Sequence, residues 1–158
     1  MYRSTRLDLK SLLISLLISL GTGILASILT SKNMDIYTRL ILPPLAPPSI
    51  VFPIVWSILY ILMGVSAYIV YQSNKQEKSF ALIVYGIQLI LNFVWTLLFF
   101  NAELYWISFI CLVILWVLIL TMIKVFSNIN KVAGYLQVPY LLWVTFAGYL
   151  NLMIAILN

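Results

Sequence analysis

The sequence predicts an all-α fold: an integral membrane bundle of five transmembrane helices. Three observations predict it. Of the 158 residues, 64% are apolar and only 8% charged, whereas a soluble domain carries about 25% charged residues. The charges divide the chain into long uncharged stretches, at 11–31, 40–74, 79–102, 104–123 and 132–158. Each stretch holds the roughly 20 mainly apolar residues that a helix needs to cross about 30 Å of hydrocarbon. No stretch leaves room for a separate soluble domain, so residues 1–158 are expected to form one five-helix unit.

The first span is placed at about 9–31. Arg3, Arg6 and Lys10 precede it, as in a secretory signal peptide, but the apolar run continues uncharged to Ser31. A signal peptide has an apolar region of roughly 7 to 15 residues, so a retained helix fits better. Residues 32–47 form the one long connection. Its LPPLAPP run excludes a regular helix and makes the loop stiff, a candidate cover for one end of the bundle. Pro47, Pro48 and Pro53 are expected to start the second span at about 48–72, where missing N–H groups cost least.

The third and fourth spans, at about 79–100 and 104–126, are joined by a tight turn after Asn101 and should be antiparallel neighbours. The fifth, at about 133–157, contains Pro139, which is expected to kink it and free the Tyr135 carbonyl.

Lysine and arginine set the orientation, because short loops rich in them stay cytoplasmic. Arg3, Arg6, Lys10, Lys75, Lys78, Lys124 and Lys131 fall on one side, Lys32 and Arg39 on the other. The N-terminus is therefore expected in the cytoplasm and the C-terminus outside. The net charge of +5 is scattered over loops and forms no dense stripe, so nucleic acid is not an expected partner. The lipid bilayer is.

With no histidine, the chain has no imidazole metal site, no His-ligated haem and no His general base. Cys111 has no internal disulfide partner. Asp8, Asp35, Glu77 and Glu103 all sit in or near loops, so no carboxylate pair offers an intramembrane proton relay. No phosphate loop and no nucleophile with an adjacent base is present. No metal and no covalently bound cofactor is expected.

What remains is aromatic and amide. Tyr71, Tyr105, Trp106 and Tyr135 lie near span ends and read as interfacial anchors. Deeper in the spans, Gln88, Asn92, Trp95 and Phe99 recur at helical spacing on the third span. Tyr140, Trp143, Ala147 and Asn151 do so on the fifth, and Phe52, Trp56, Tyr60 and Met63 on the second. Amides inside a span are costly unless they find partners, so these faces should point into the bundle. Spacing alone allows two arrangements: faces packed against one another, or faces lining a cavity for a flat apolar ligand. Lys32 and Arg39 at the rim are either solvated loop charges or partners for acidic substituents on such a ligand.

Three runs, PPSIVFPIVWSILYILMG at 47–64, QLILNFVWTLLFF at 88–100 and VPYLLWVTFAGYLN at 138–151, resemble the TspO/MBR family, the tryptophan-rich sensory and translocator proteins. The resemblance covers nearly the whole chain. It implies binding of tetrapyrroles such as protoporphyrin IX, with light-dependent porphyrin degradation in bacterial members. It also implies affinity for isoquinoline and benzodiazepine-type drugs, a homodimer, and a bacterial plasma membrane. By resemblance, Trp56 and Trp143 match the tryptophans linked to that photochemistry, while Tyr37, Asn92, Trp95 and Ala147 match cavity positions. The expected ligand-binding set is therefore Tyr37, Phe52, Trp56, Tyr60, Gln88, Asn92, Trp95, Phe99, Tyr140, Trp143 and Ala147. A sensor or carrier without chemistry requires the same pocket and is the alternative.

The loop departs from the family pattern at Ile36, Leu42 and Leu45, and the last span lacks the Tyr and Arg of the mammalian cholesterol motif. Cholesterol transport is not carried over. Gly64, Ala67, Ala81 and Gly86 offer small surfaces for a dimer.

Overall fold

The computed structural model describes residues 8–33 and 35–158, which leaves Arg3 and Arg6 outside the described residues. Five helices are long and apolar enough to cross a membrane. Helix α1 runs Leu9–Thr30 and ends in a 3-10 turn, Ser31–Asn33. The short α2, Ile36–Arg39, lies within the connection. Helix α3 is Val51–Tyr71, α4 is Lys78–Phe100 and α5 is Tyr105–Ile129. The last span is split into α6, Lys131–Tyr135, and α7, Val138–Leu157.

Proline chemistry accounts for the two places where the helices differ from expectation. Pro47 and Pro48 precede α3 instead of opening it, and only Pro53 stands in the first turn of that helix. Pro139 does not kink a continuous helix either. The chain breaks after Tyr135, and Pro139 sits in the first turn of α7, where its absent N–H removes no intrahelical bond. The break is closed by Gln137 N–H donating to the Gly134 carbonyl at 3.0 Å and Leu141 N–H donating to the Gln137 carbonyl at 3.1 Å.

The helices form a ring. Helix α1 packs on α3, α3 on α6, α6 and α7 on α5, α5 on α4, and α4 back on α1. Small groups make the close approaches possible: a Cβ on Gly64 would come within 3.1 Å of the Leu16 Cα, and one on Gly134 within 3.1 Å of the Ile123 carbonyl oxygen. Gly64, Ala67 and Ala81 are therefore used inside the chain's own packing, and of the four small residues only Gly86 faces open space.

The core runs through Met63, Val70, Leu115, Ile119, Met122 and Phe126, all fully buried. The outward faces are apolar as well, as a helix bathed in hydrocarbon requires. Helix α1 is the most peripheral, burying only Ser19, Ala26 and Thr30 of its 22 residues.

The connection between α1 and α3 folds over one end of the ring as a lid. The Tyr37 hydroxyl donates to the Pro47 carbonyl at 2.7 Å, and the Tyr149 hydroxyl to the Pro44 carbonyl at 2.8 Å. The Asn158 amide takes the Ile41 N–H at 2.9 Å and donates to the Ile41 carbonyl at 3.2 Å. Partial burial pushes the Tyr37 phenol above its ordinary pKa.

Candidate ligand cavity

Beneath the lid, between α1, α3, α4 and α7, lies a cavity of about 290 Å³. Aromatic rings supply much of its wall. Trp56 stands 5.7 Å from Tyr60 and 6.1 Å from Trp95, ring centre to ring centre, and Trp95 stands 6.0 Å from Phe99. Tyr37 brings the lid into the site by an edge-on contact of 5.4 Å with Phe52. Centroid spacings of 4.5–7 Å are those at which such rings attract one another.

The polar atoms of the wall are ordered by a buried network. Tyr60 Oη donates to Asn92 Oδ1 at 2.8 Å, and Asn92 Nδ2 donates to Tyr140 Oη at 2.9 Å. Tyr140 Oη in turn donates to Gln88 Oε1 at 2.9 Å. A second cluster holds the indole of Trp95: its Nε1 donates to Asn151 Oδ1 at 3.0 Å, which also accepts from Ser108 Oγ at 3.0 Å. Asn151 Nδ2 donates to the Tyr105 carbonyl at 2.8 Å. Amides that would be costly in hydrocarbon thus find partners across four helices, and the rings they hold cannot easily turn.

Eight of the eleven residues expected from sequence line this cavity: Tyr37, Phe52, Trp56, Tyr60, Asn92, Trp95, Phe99 and Ala147. Gln88, Tyr140 and Trp143 do not. Gln88 and Tyr140 stand one layer behind, fully buried, as the supports of Asn92 and Tyr60. Trp143 packs edge-on behind Phe52 at 5.9 Å and borders a shallow groove between α3 and α7. Its Nε1 is buried without a hydrogen-bond partner among the described residues.

Sequence reasoning missed the contribution of α1. Leu20, Gly23, Ser27 and Thr30 complete the wall. Three of these are small, spaced by four and three, which was a legible signal of a close-approach face. Asn151, on the expected α7 face, also lines the cavity. At the rim, Lys32 is exposed and Arg39 lies 3.9 Å from Glu103, both partners solvated. Among the described residues no cluster of His, Cys, Asp or Glu is placed to hold a metal.

Residues 14–157 match the family model described as TspO/MBR family. The chain belongs to the TspO/MBR family. It is 37% identical over 142 residues to the tryptophan-rich protein TspO of Chlorobaculum tepidum, covering 88% of this chain and 90% of that one. It is 30% identical over 154 residues to the protein of the same name from Archaeoglobus fulgidus, covering 96% and 99%. The translocator protein of Bos taurus is 29% identical over 140 residues, covering 87% of this chain and 83% of the bovine one. Family membership and five apolar helices of spanning length together make this an integral membrane protein.

Proposed function

We propose that the cavity binds a flat apolar ligand of the tetrapyrrole class, protoporphyrin IX, and that light drives degradation of the bound pigment. The observation that carries the reading is the cavity wall: Trp56, Tyr60, Trp95 and Phe99 present rings around a void whose few polar groups are amides, hydroxyls and indole N–H groups. Specific ligand pockets have this composition and span roughly 300–1,000 Å³. The enclosed volume stands near the lower end of that range, so a tetrapyrrole would extend an edge beyond it. Lys32 and Arg39 at the lid supply cations for acidic ring substituents.

The excited pigment takes one electron from the indole of Trp56, in the wall itself, leaving an indole radical cation; the pigment radical anion passes the electron to dissolved dioxygen, the oxidant that the degradation consumes. Trp143, one ring removed behind Phe52, is the second donor, reached through that ring. The N-terminus and the Lys75, Lys78, Lys124 and Lys131 end of the bundle are assigned to the cytoplasm, and the lid to the outer face of a bacterial plasma membrane. A homodimer is part of the same reading.

A second reading, a carrier or sensor without chemistry, draws support from Trp143: only one of the two expected donors faces the cavity. Isoquinoline and benzodiazepine-type molecules are flat enough to share the pocket under either reading.

The test is a titration with protoporphyrin IX in darkness, followed by absorbance under illumination. Saturable quenching of tryptophan fluorescence is expected, then bleaching faster than in empty micelles and slowed in Trp56→Phe. Quenching without saturation removes the site. Bleaching at the micelle rate leaves the carrier reading in place of the chemistry.

A further inference from the structure

A ligand can pass into the cavity through the lid or between the helices, and the hydrogen bonds of these two boundaries differ. The lid is held at several points. Besides the Tyr37, Tyr149 and Asn158 bonds, Asn33 Nδ2 donates to Asn101 Oδ1 at 2.9 Å and Asn101 Nδ2 to the Leu29 carbonyl at 3.1 Å.

The seam between α1 and α3 is latched over half its length only. Away from the lid, Ser15 Oγ donates to the Gly64 carbonyl at 2.7 Å and Ser19 Oγ to the Tyr60 carbonyl at 2.5 Å. Next comes Gly23, whose backbone lies so close to the Tyr60 ring that a Cβ there would stand 2.4 Å from it. From Gly23 to the lid, no hydrogen bond joins α1 to α3 among the described residues.

In that unlatched half, Ile24 and Ser27 of α1 and Pro53 and Ser57 of α3 line the cavity and are also exposed on the outer surface of the bundle. The wall is open there. Ile24 lies six residues before the end of α1 and Ser57 six after the start of α3, each about 9 Å inside the helix end at 1.5 Å per residue. The opening therefore faces hydrocarbon. Ser57 Oγ is spent on its own Pro53 carbonyl at 2.7 Å and Thr30 Oγ1 on Ala26 at 2.9 Å, so these hydroxyls offer no free donor to the passage.

We propose that flat apolar ligands pass sideways between the cavity and the half of the bilayer next to the lid, through a slot bordered by Ile24, Ser27, Pro53 and Ser57. The inference rests on the ligand-binding reading above. An apolar ring system partitions into hydrocarbon at about 25 cal/mol per Å² of surface removed from water, so the bilayer is where it is concentrated. Helix α1, with three buried residues, is the most peripheral of the walls. The same slot gives the projecting edge of a tetrapyrrole somewhere to lie.

The test uses the full chain in phosphatidylcholine nanodiscs, with protoporphyrin IX quenching of tryptophan followed by stopped flow in darkness. Ser27→Phe and Ser57→Phe, each made alone, should slow association and dissociation together by about fivefold or more, as a narrowed passage does. Asn158→Ala with Tyr149→Phe, which removes the bonds from α7 to the lid, should leave both rates within about twofold of the wild type. Wild-type protein gives a check that needs no substitution: at fixed pigment, doubling the lipid should roughly halve the association rate, because the pigment in the membrane is diluted. Saturable binding whose rates ignore Ser27, Ser57 and lipid, yet rise on release of the lid, overturns the lateral route alone. Absence of saturable binding in the wild type overturns the ligand reading and the route with it.

Discussion

Tyr60 and Asn92 share a hydrogen bond of 2.8 Å in the cavity wall, with the phenol donating to the amide oxygen. Because the same amide donates to Tyr140, one side chain of α4 fixes rings from α3 and α7 at once. The geometry of the pocket therefore depends on an amide that contributes little of its surface.

Asn92→Ala should reduce stability by about 1–2 kcal/mol, since it strands the Tyr60 hydroxyl in an apolar wall. Tyr60→Phe leaves Asn92 Oδ1 buried without its donor and should cost a similar amount. The double substitution should cost less than the sum of the two. Thermal unfolding of all three in one detergent reads the coupling, and strict additivity would show that the bond does not hold the ring.

The fold was legible because charges in hydrocarbon are costly, so Lys10, Lys32, Arg39, Lys75, Lys78, Glu103, Lys124 and Lys131 all fall in the connections or within about two turns of a helix end, α5 running past Lys124 to Ile129. The α4 face was legible for a related reason: Gln88, Asn92, Trp95 and Phe99 are all buried, as amides must be when partnered. On α7 the same reasoning placed Tyr140, Ala147 and Asn151 inward but overreached at Trp143. At 100° per residue, Trp143 stands about 60° from the mean direction of the other three, enough to turn its ring past Phe52. The α1 wall was illegible as chemistry because Gly23 and Ser27 contribute room, and room leaves no residue to notice.

Trp95 and Trp143 should respond differently to the same change. Trp95→Phe removes one of the two donors to the buried Asn151 Oδ1, Ser108 Oγ remaining, together with part of a buried indole, and should cost about 1–2 kcal/mol. Trp143→Phe removes an indole N–H that has no partner, offsetting part of the lost packing, and should cost about 1 kcal/mol or less. Unfolding midpoints in a common detergent compare them; an equal or larger loss at Trp143 would contradict the assignment of its nitrogen.

Acid should loosen the N-terminal end of α1 first. Ser11 donates to the Asp8 carboxylate from its hydroxyl at 2.5 Å and from its backbone N–H at 3.2 Å, and these bonds hold the carboxyl below the usual value of 3.8. A lowered folded pKa means that the contribution is complete above about pH 3.8 and is lost as pH falls through the lower, folded value. Asp8→Ala should abolish that part of the pH dependence while leaving the neutral-pH fold intact. Hydrogen exchange of the first turn of α1 between pH 5 and about pH 3 is the measurement; an unchanged profile in the variant would assign the acid sensitivity elsewhere.

Gly21 and Gly23 lie two residues apart on α1 and make opposite predictions. A Cβ at Gly23 would stand 2.4 Å from the Tyr60 ring, which cannot retreat freely because Asn92 holds its hydroxyl and Ser19 holds its carbonyl. Gly23→Ala should therefore destabilise by about 1–3 kcal/mol through overpacking, and should also shrink the cavity. At Gly21 an added Cβ meets nothing within 4 Å, so Gly21→Ala gains only the helix preference of alanine, about 0.5–1 kcal/mol. Opposite shifts in the unfolding midpoint are expected from two chemically identical substitutions. Equal shifts would mean that α1 does not press on Tyr60, and the close approach of the two helices at Gly23 would need another explanation.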